Sequence, residues 1–526
     1  MTTQRWRCLA WLAALPVLVA PIGDPDMWWH LSAAERLVES ASWPKSDWLS
    51  FTLGGAAWSN FEWLAQLFFY LPYKLAGYAG LWILKIVLLG GILEWVWRRL
   101  LKQVDAPAAA LGVALMSCAL LPRADIRTEL FSLIAFAWLL RFIEEKKDQI
   151  QPRRALVLAA LFFCIWANLH AGFAYGLVLL ALYIVGALIA KEKSAMPLFA
   201  GLLGGACGAL INPYGIGVYT VLFSHATDSA ALAQYIVEWG PLTVARKEQW
   251  PTILLVAGAV ALLSRRWKKE PAGFVLALLI FGAAGIRHAR LAAYFSLLAV
   301  PFVIAGLASE SRRRWVPAVL AACALFAAAL NWNTGLGRAT VHAEYVPVKA
   351  AAFIERTFKN PAMHFYHPWG WGGFLGRDFV VFQDGRYIFH PLLVEAGQAS
   401  AAPQLWQQFL QRHKIDVALM RNTGLTLPGR RRYPDGSERA FQRPYTLSFM
   451  PRSEWALIYF DAKALLFLRR TSANAQIIAD LEYRYVRPGD RAALRDALAR
   501  GEIDVALLER ERARHARILS TLPDSL

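Results

Sequence analysis

The chain has 526 residues, is 57% hydrophobic and carries 22 tryptophans, with a positive mean hydropathy; that many long apolar runs exclude an ordinary soluble protein. Its formal charge of +18 sits largely in short clusters between those runs, the pattern of loops facing anionic lipid, which argues against nucleic acid as a partner. The five cysteines (Cys8, Cys118, Cys164, Cys207, Cys323) all fall in apolar segments without metal spacing, which excludes thiolate metal sites and leaves the C-terminal third without disulfides.

Residues 6–22, preceded by Arg5 and Arg7, resemble a secretory signal, but Pro21 after Ala20 blocks cleavage. The segment is expected to be an uncleaved anchor with its N-terminus inside. Gly23-Asp24-Pro25-Asp26-Met27-Trp28-Trp29-His30 follows directly. Pro25 disfavours helix at Asp24, so the chain is expected to run extended, with Asp24 and Asp26 on one face. Trp28 and Trp29 suit the membrane–water boundary. Residues 28–40 predict an amphipathic helix, with Leu31, Ala34, Leu37 and Val38 opposite Glu35, Arg36 and Glu39. In 61–75 the polar residues Glu62, Gln66, Tyr70 and Lys74 recur every fourth position, which predicts a second helix lying in the interface.

If 61–75 lies flat, the next span is about 79–97. The clusters Arg98-Arg99-Leu100-Leu101-Lys102, Lys146-Lys147 with Arg153-Arg154, and Lys191 with Lys193 then all fall inside. So do Arg265-Arg266-Trp267-Lys268-Lys269 and Arg312-Arg313-Arg314. Roughly eleven spans of about 15–20 residues result, ending near Trp332, with the C-terminal domain outside. The expected division is a membrane module over 1–334, whose first outer loop is 23–78, and a soluble domain over 335–526.

In that soluble domain, strands are expected at 363–366, 379–382, 416–420, 456–460 and 465–468, with helices at 348–358 and 404–412, giving a small α/β layer. The Arg-, Gly- and Pro-rich stretch 421–443 reads as a mobile loop, and the last forty or so residues as amphipathic helix. No internal repeat marks an inverted-repeat transporter.

This topology collects the chemically versatile residues on the outer face. One of Asp24 and Asp26 can take the proton of an acceptor hydroxyl, or the pair can hold a divalent cation (Mg or Mn) beside a phosphate leaving group. The simpler reading is that Asp26 caps the following helix. Arg123, Arg127, Arg287 and Arg290 are suited to gripping phosphate oxygens, although arginines at span ends also snorkel. Lys85, roughly 10 Å inside a span, can help neutralise a phosphate or snorkel itself. His30, Glu62, Asn168, His170, Asn212, Tyr214, His225 and Glu238 complete the outer set as supporting or acceptor-side groups. No two histidines have zinc spacing. Trp369-Gly370-Trp371-Gly372-Gly373 and Asp384-Gly385-Arg386 read first as turns, and secondarily as a platform on which a sugar or peptide could stack.

The acidic pair after the first span, the interfacial helices, the many spans and the soluble outer domain together resemble the GT-C superfamily of integral-membrane glycosyltransferases. Asp24-Pro25-Asp26-Met27-Trp28-Trp29-His30, Asn168-Leu169-His170, Asn212-Pro213-Tyr214-Gly215, Glu238-Trp239, Trp371-Gly372-Gly373 and Asp384-Gly385-Arg386 resemble bacterial glycosyltransferase-like members. The resemblance implies transfer of a sugar or glycan, with inversion, from a polyprenyl-phosphate-linked donor to an extracytoplasmic protein, glycan or lipid. It also implies an inner-membrane location, Asp24 as acid/base or metal ligand with Asp26 as its partner, and arginines on the donor phosphate. The stretch 369–373 is not the Trp-Trp-Asp-Tyr-Gly signature of oligosaccharyltransferases. Two other readings stand beside this one: a transporter or flippase for lipid-linked glycans, and a non-catalytic subunit of an envelope assembly complex.

Overall fold

The computed structural model describes residues 1–307, 315–337, 340–342, 345–360 and 363–523; the expected inner cluster Arg312–Arg314 lies outside the described residues. The chain is mostly helical with a small C-terminal sheet. By contacts it forms two compact units. The first comprises Met1–Asp24, Ala33–Lys45 and Trp58–His342; the second comprises Pro25–Ser32, Ser46–Ala57 and Ala343–Leu526. Composition alone divides the chain once, near 335, whereas the second unit also takes in two early segments, Pro25–Ser32 and Ser46–Ala57.

The first unit is a helical bundle. Its helices are α1 (Thr3–Leu18), α2 (Met27–Ser40, which begins in the second unit), α3 (Trp63–Leu100), α4 (Ala106–Ala119), α5 (Glu129–Lys146) and α6 (Pro152–Leu169). They continue as α7 (Phe173–Ile189), α8 (Ala195–Gly208), α9 (Gly217–Leu232), α10 (Trp250–Arg266), α11 (Ala272–Arg287), α12 (Ala292–Leu307) and α13 (Val316–Leu330). Among the described residues three segments are long and apolar enough to cross a membrane: α3, α6 and Ala289–Leu307. The apolar helices α4, α7, α8, α11 and α13 are shorter. Helix α3 is broken at Ala76 and Gly77, whose backbones are not helical, so the polar-striped half is set off from the apolar half. Helices α6 and α8 approach closely because Gly204 and Gly208 face Leu156 and Ala160; an added Cβ would sit 2.1 Å from each carbonyl oxygen.

Ion pairs gather the basic loops at one end of this bundle. Arg99 meets Glu144, Lys102 meets Glu145, and Lys147 meets Glu192, while Arg7 and Arg98 share Glu94. Helices α3 and α5 start from the opposite end, where Glu62 and Glu129 lie.

The second unit holds α14 (Val348–Phe358), α15 (Gly372–Leu375), α16 (His390–Ala399), α17 (Pro403–Arg412), α18 (Thr446–Phe449), α19 (Ala475–Leu481), α20 (Arg491–Ala499) and α21 (Val505–Thr521). Its strands are β1 (Val417–Arg421), β2 (Thr426–Arg432), β3 (Glu438–Pro444), β4 (Trp455–Phe460) and β5 (Ala464–Arg469). Strands β1, β5 and β4 form an antiparallel sheet in that order. Trp406, Phe409 and Leu410 of α17 pack with Leu457 and Phe467 of the sheet into its apolar core.

Three expectations need correction. Residues 363–366 and 379–382 are not strands: each contributes one isolated bridge, Tyr366 with Ala418 and Val381 with Ser50. The stretch 421–443 is no loop but mostly the hairpin β2–β3, turned at Pro434-Asp435-Gly436, where Gly436 has φ +79°. Its strands carry Arg430, Arg431, Arg432, Arg439 and Arg443 and are largely exposed, so no apolar alternation announced them. Finally, Pro25 and Asp26 form a turn rather than an extended strand, and Trp28 and Trp29 are buried instead of lying at an interface.

Candidate active site

In the first unit Asp24 is held from both sides. Ile22 pairs with Val341, its N–H donating to the Thr340 carbonyl at 2.8 Å, and the Gly23 N–H donates to Asp125 Oδ2 at 2.8 Å. Asp24 is 2% exposed and forms an ion pair with Arg127. Arg127 also reaches Glu238 at 2.7 Å, and Arg123 bridges Glu238 and Glu129. Glu129 stands in the first turn of α5, where the helix dipole favours an acid. Burial raises the Glu238 carboxyl, but Arg123, Arg127 and Arg290 together outweigh it and hold Glu238 well below the usual carboxylate range.

Arg290 completes the cluster differently. Its guanidinium lies 4.4 Å from the Trp239 ring centre, and its buried Nε has no hydrogen-bond partner among the described residues. The loops carrying both residues are tied together: Leu242 N–H donates to Ile286 O at 2.9 Å, and Ala289 N–H to Gly240 O at 2.9 Å. His225 stacks near Trp239 at 5.8 Å, and its Nδ1 bonds its own helix at Val221 O.

Glu62 sits just before α3 and accepts from Thr128 Oγ1 at 2.8 Å. Burial raises its carboxyl to about 7; Thr128 and Arg290 oppose that rise, and Asp24 and Glu129 add to it. His170 lies beside it, with Nε2 3.8 Å from Glu62 Oε1. The Gly172 N–H donates to His170 Nδ1 at 2.9 Å, and Ser132 Oγ lies 2.8 Å from the same atom. Trp166 Nε1 donates to Ser132 Oγ at 2.7 Å. With Nδ1 accepting, a neutral ring keeps its proton on Nε2, facing Glu62.

Other expected residues fall elsewhere. Arg287 is exposed at the end of α11 and joins none of these pairs among the described residues. Lys85 is buried and donates to the Ala20 carbonyl, which fastens α3 to the end of α1. Asn168 is structural: it accepts from Trp63 Nε1 at 2.5 Å and donates to the carbonyls of Cys164 and Ile211 at 2.7 and 2.9 Å. Asn212 shapes its loop by accepting the Tyr214 N–H at 2.8 Å, and the Tyr214 hydroxyl donates to Pro44 O at 2.8 Å.

Asp26 belongs to the second unit, where it lies against Gly385; a Cβ there would sit 1.7 Å from Asp26 Oδ1. The neighbouring Arg386 is fully buried, at 2.6 Å from Asp47 and 2.7 Å from Asp384. His30 is buried in the same unit, its ring 3.7 Å from that of Trp29 and tilted by 35°. Glu129 and Thr128 were the residues that sequence reasoning passed over. Their signal was present, since they open an apolar run just after the Arg123–Arg127 loop.

The residues around Asp24 do not suit a divalent ion. Among the described residues no three His, Cys, Asp or Glu side chains come together as metal ligands. Asp24, Glu129 and Glu238 each already face a guanidinium that such an ion would have to displace.

No protein-family model and no curated protein sequence matches the chain. Solved structures do. The archaeal oligosaccharyltransferase AglB from Archaeoglobus fulgidus, in complex with an inhibitory peptide and a dolichol-phosphate, is similar with TM-score 0.54 at 10% identity, over 84% of this chain and 74% of that one. The A. fulgidus oligosaccharyltransferase tethered to an acceptor peptide with the NVT sequon gives 0.55 at 11% identity, over 95% and 83%. ArnT from Cupriavidus metallidurans bound to undecaprenyl phosphate gives 0.49 at 14% identity, over 89% and 98%. At these identities the likeness is one of architecture alone: the chain shares the fold of the archaeal oligosaccharyltransferase.

Proposed function

We propose that the chain is a membrane glycosyltransferase that moves a sugar or glycan from a polyprenyl-phosphate-linked donor to an extracytoplasmic acceptor, with inversion at the anomeric carbon. The observation that carries the reading is the cluster of buried Asp24, Arg123 and Glu129 with half-buried Arg127 and Glu238, and Arg290 beside it, at the bundle end opposite the basic loops. The fold shared with an oligosaccharyltransferase solved with a dolichol-phosphate supports it. We place the membrane module over 1–334 with about eleven spans and two interfacial helices, and the domain 335–526 outside, following the positive-inside bias.

In this reading the acceptor oxygen bonds to the anomeric carbon as the bond to the phosphate oxygen breaks. The acceptor proton passes to a carboxylate, Asp24 or Glu62. Glu62 is the better shuttle, because a carboxyl poised near 7 both takes and returns a proton at neutral pH. Arg290, which has no carboxylate pair of its own among the described residues, meets the leaving phosphate, and Arg127, which shares Glu238 with Arg123, keeps Asp24 in place. No step passes through a metal.

Asp24→Asn keeps the shape and removes the charge. Cells carrying it in place of the wild type are expected to lose the glycan product and accumulate the lipid-linked donor, both read by mass spectrometry, with unchanged membrane insertion. Full glycan product in that variant and again in Asp24→Asn combined with Glu62→Gln, which removes both candidate proton acceptors, would sink the transferase reading and favour a transport or assembly role.

A further inference from the structure

The second unit contains a cavity that this chemistry does not use. It measures about 790 Å³, within the range of small-ligand sites, and its lining includes Arg487, Arg491, Arg495, Arg512, His515 and Phe460. Arg491 and Arg495 stand one turn apart on α20, and Arg512 lies on α21; all three are exposed. Phe460 and His515 stack at 3.9 Å and 15°, offering a flat face beside the charges.

Arg487 is of another kind. It is only 8% exposed, and its Nε and Nη2 are buried without hydrogen-bond partners among the described residues. A buried guanidinium N–H without an acceptor is costly, and evolution rarely leaves one idle. The loop presenting it is firmly built: the Glu511 carboxylate accepts the N–H groups of Arg484, Tyr485 and Val486 at 2.7, 3.0 and 2.9 Å. The nearby acids are occupied. Asp490 is taken by Arg443 at 2.5 and 2.9 Å, and Asp461 accepts from the Tyr459 hydroxyl at 2.5 Å and from the N–H groups of Lys463 and Ala464 at 2.7 Å. Burial and the neighbouring Arg452 pull the Arg487 guanidinium down to about 9, and Glu482, Asp490 and Glu511 offset that only in part.

We propose that this cavity binds an anionic saccharide, whose carboxylate or phosphate oxygens lie on Arg487 with the rim arginines around them. Planar N–H forks match such oxygens, and the Phe460–His515 face suits a sugar ring. Calling that saccharide the acceptor rests on the proposed function; the binding itself does not.

The test is calorimetric titration of the full-length protein in detergent, without donor, against trigalacturonate, maltotriose and inorganic pyrophosphate. Trigalacturonate is expected to bind, more weakly as salt rises, and maltotriose is not. Arg491→Gln with Arg495→Gln, both on the exposed face of α20, is expected to weaken binding about tenfold, and Arg487→Gln to abolish it. Asp24→Asn is expected to bind like wild type. Equal binding of maltotriose, binding unaffected by the α20 pair, or binding of pyrophosphate with trigalacturonate refused would each overturn the proposal. The α20 pair decides the matter even if Arg487→Gln does not fold. Saccharide binding in a protein that proves to transfer nothing would sink the transferase reading and leave this site standing.

Discussion

Replacing Glu62 by glutamine probes the electrostatics of the cluster most directly. Burial lifts this carboxyl from 4.5 to about 7 despite Thr128 and Arg290, so the native state holds a proton that the unfolded chain releases earlier. A folded-state value above the unfolded one means that stability is full below about 4.5 and is lost as pH rises through 7. At about 1.36 kcal/mol per pH unit, ionising the group across that interval costs roughly 3 kcal/mol at neutral pH and above. Glutamine keeps the volume and still accepts from Thr128 Oγ1, but it carries no charge. E62Q is therefore expected to match wild type near pH 4.5 and to exceed it by up to about 3 kcal/mol at pH 8. The assay is thermal unfolding of both proteins in detergent across that range, read as the difference between them, since Glu238 and the other carboxylates titrate in both. Parallel pH profiles, or a variant less stable than wild type at pH 8, would refute the reasoning.

Two further outcomes are expected. Arg386→Met leaves Asp47 and Asp384 buried as uncompensated charges and should destabilise the protein by about 3–5 kcal/mol in the same melting assay, whereas Arg386→Lys retains the charge and should cost less. Arg290→Gln should weaken undecaprenyl-phosphate binding about tenfold in native mass spectrometry, while Arg287→Gln, altering an exposed side chain away from the cluster, should leave it unchanged.

Much of the bundle was legible from periodicity and charge. The four-residue polar stripe from Glu62 to Lys74 marked the half of α3 that the break at Ala76 and Gly77 sets apart. Three buried strands, β1, β4 and β5, were visible as apolar runs of the right length. The hairpin β2–β3 was hidden because it buries little and alternates nothing. Near Tyr366 and Val381 the apolar runs have the pattern of strands, yet each makes one bridge rather than a ladder.

In the candidate site, residue types pointed to loops that the structure brings together, but not to the pairings within them. Arg290 and Arg287 are equivalent in sequence, yet the tie between Ala289 and Gly240 brings the first to Trp239 and leaves the second exposed. Asp24 and Asp26 looked like partners because they are two apart, but the turn at Pro25 gives each a separate neighbourhood. Neither distinction exists before the chain folds, because both depend on contacts with segments remote in sequence.

The second unit's use of Ser46–Ala57 has a consequence for how the protein is made. Asp47 meets Arg386 across 339 positions, and Phe51 N–H waits for Val381 O in the same way. At synthesis rates of about 5–20 residues per second, the early segment stays without these partners for roughly 20–70 s while the membrane helices are inserted. Completion of the second unit is thus a late event, which needs both the early segment and the last third of the chain. A fragment beginning at 335 would lack Asp47 and leave Arg386 with Asp384 alone, and protease resistance of the second unit would report on the integrity of Ser46–Ala57 as much as on the sequence after 335.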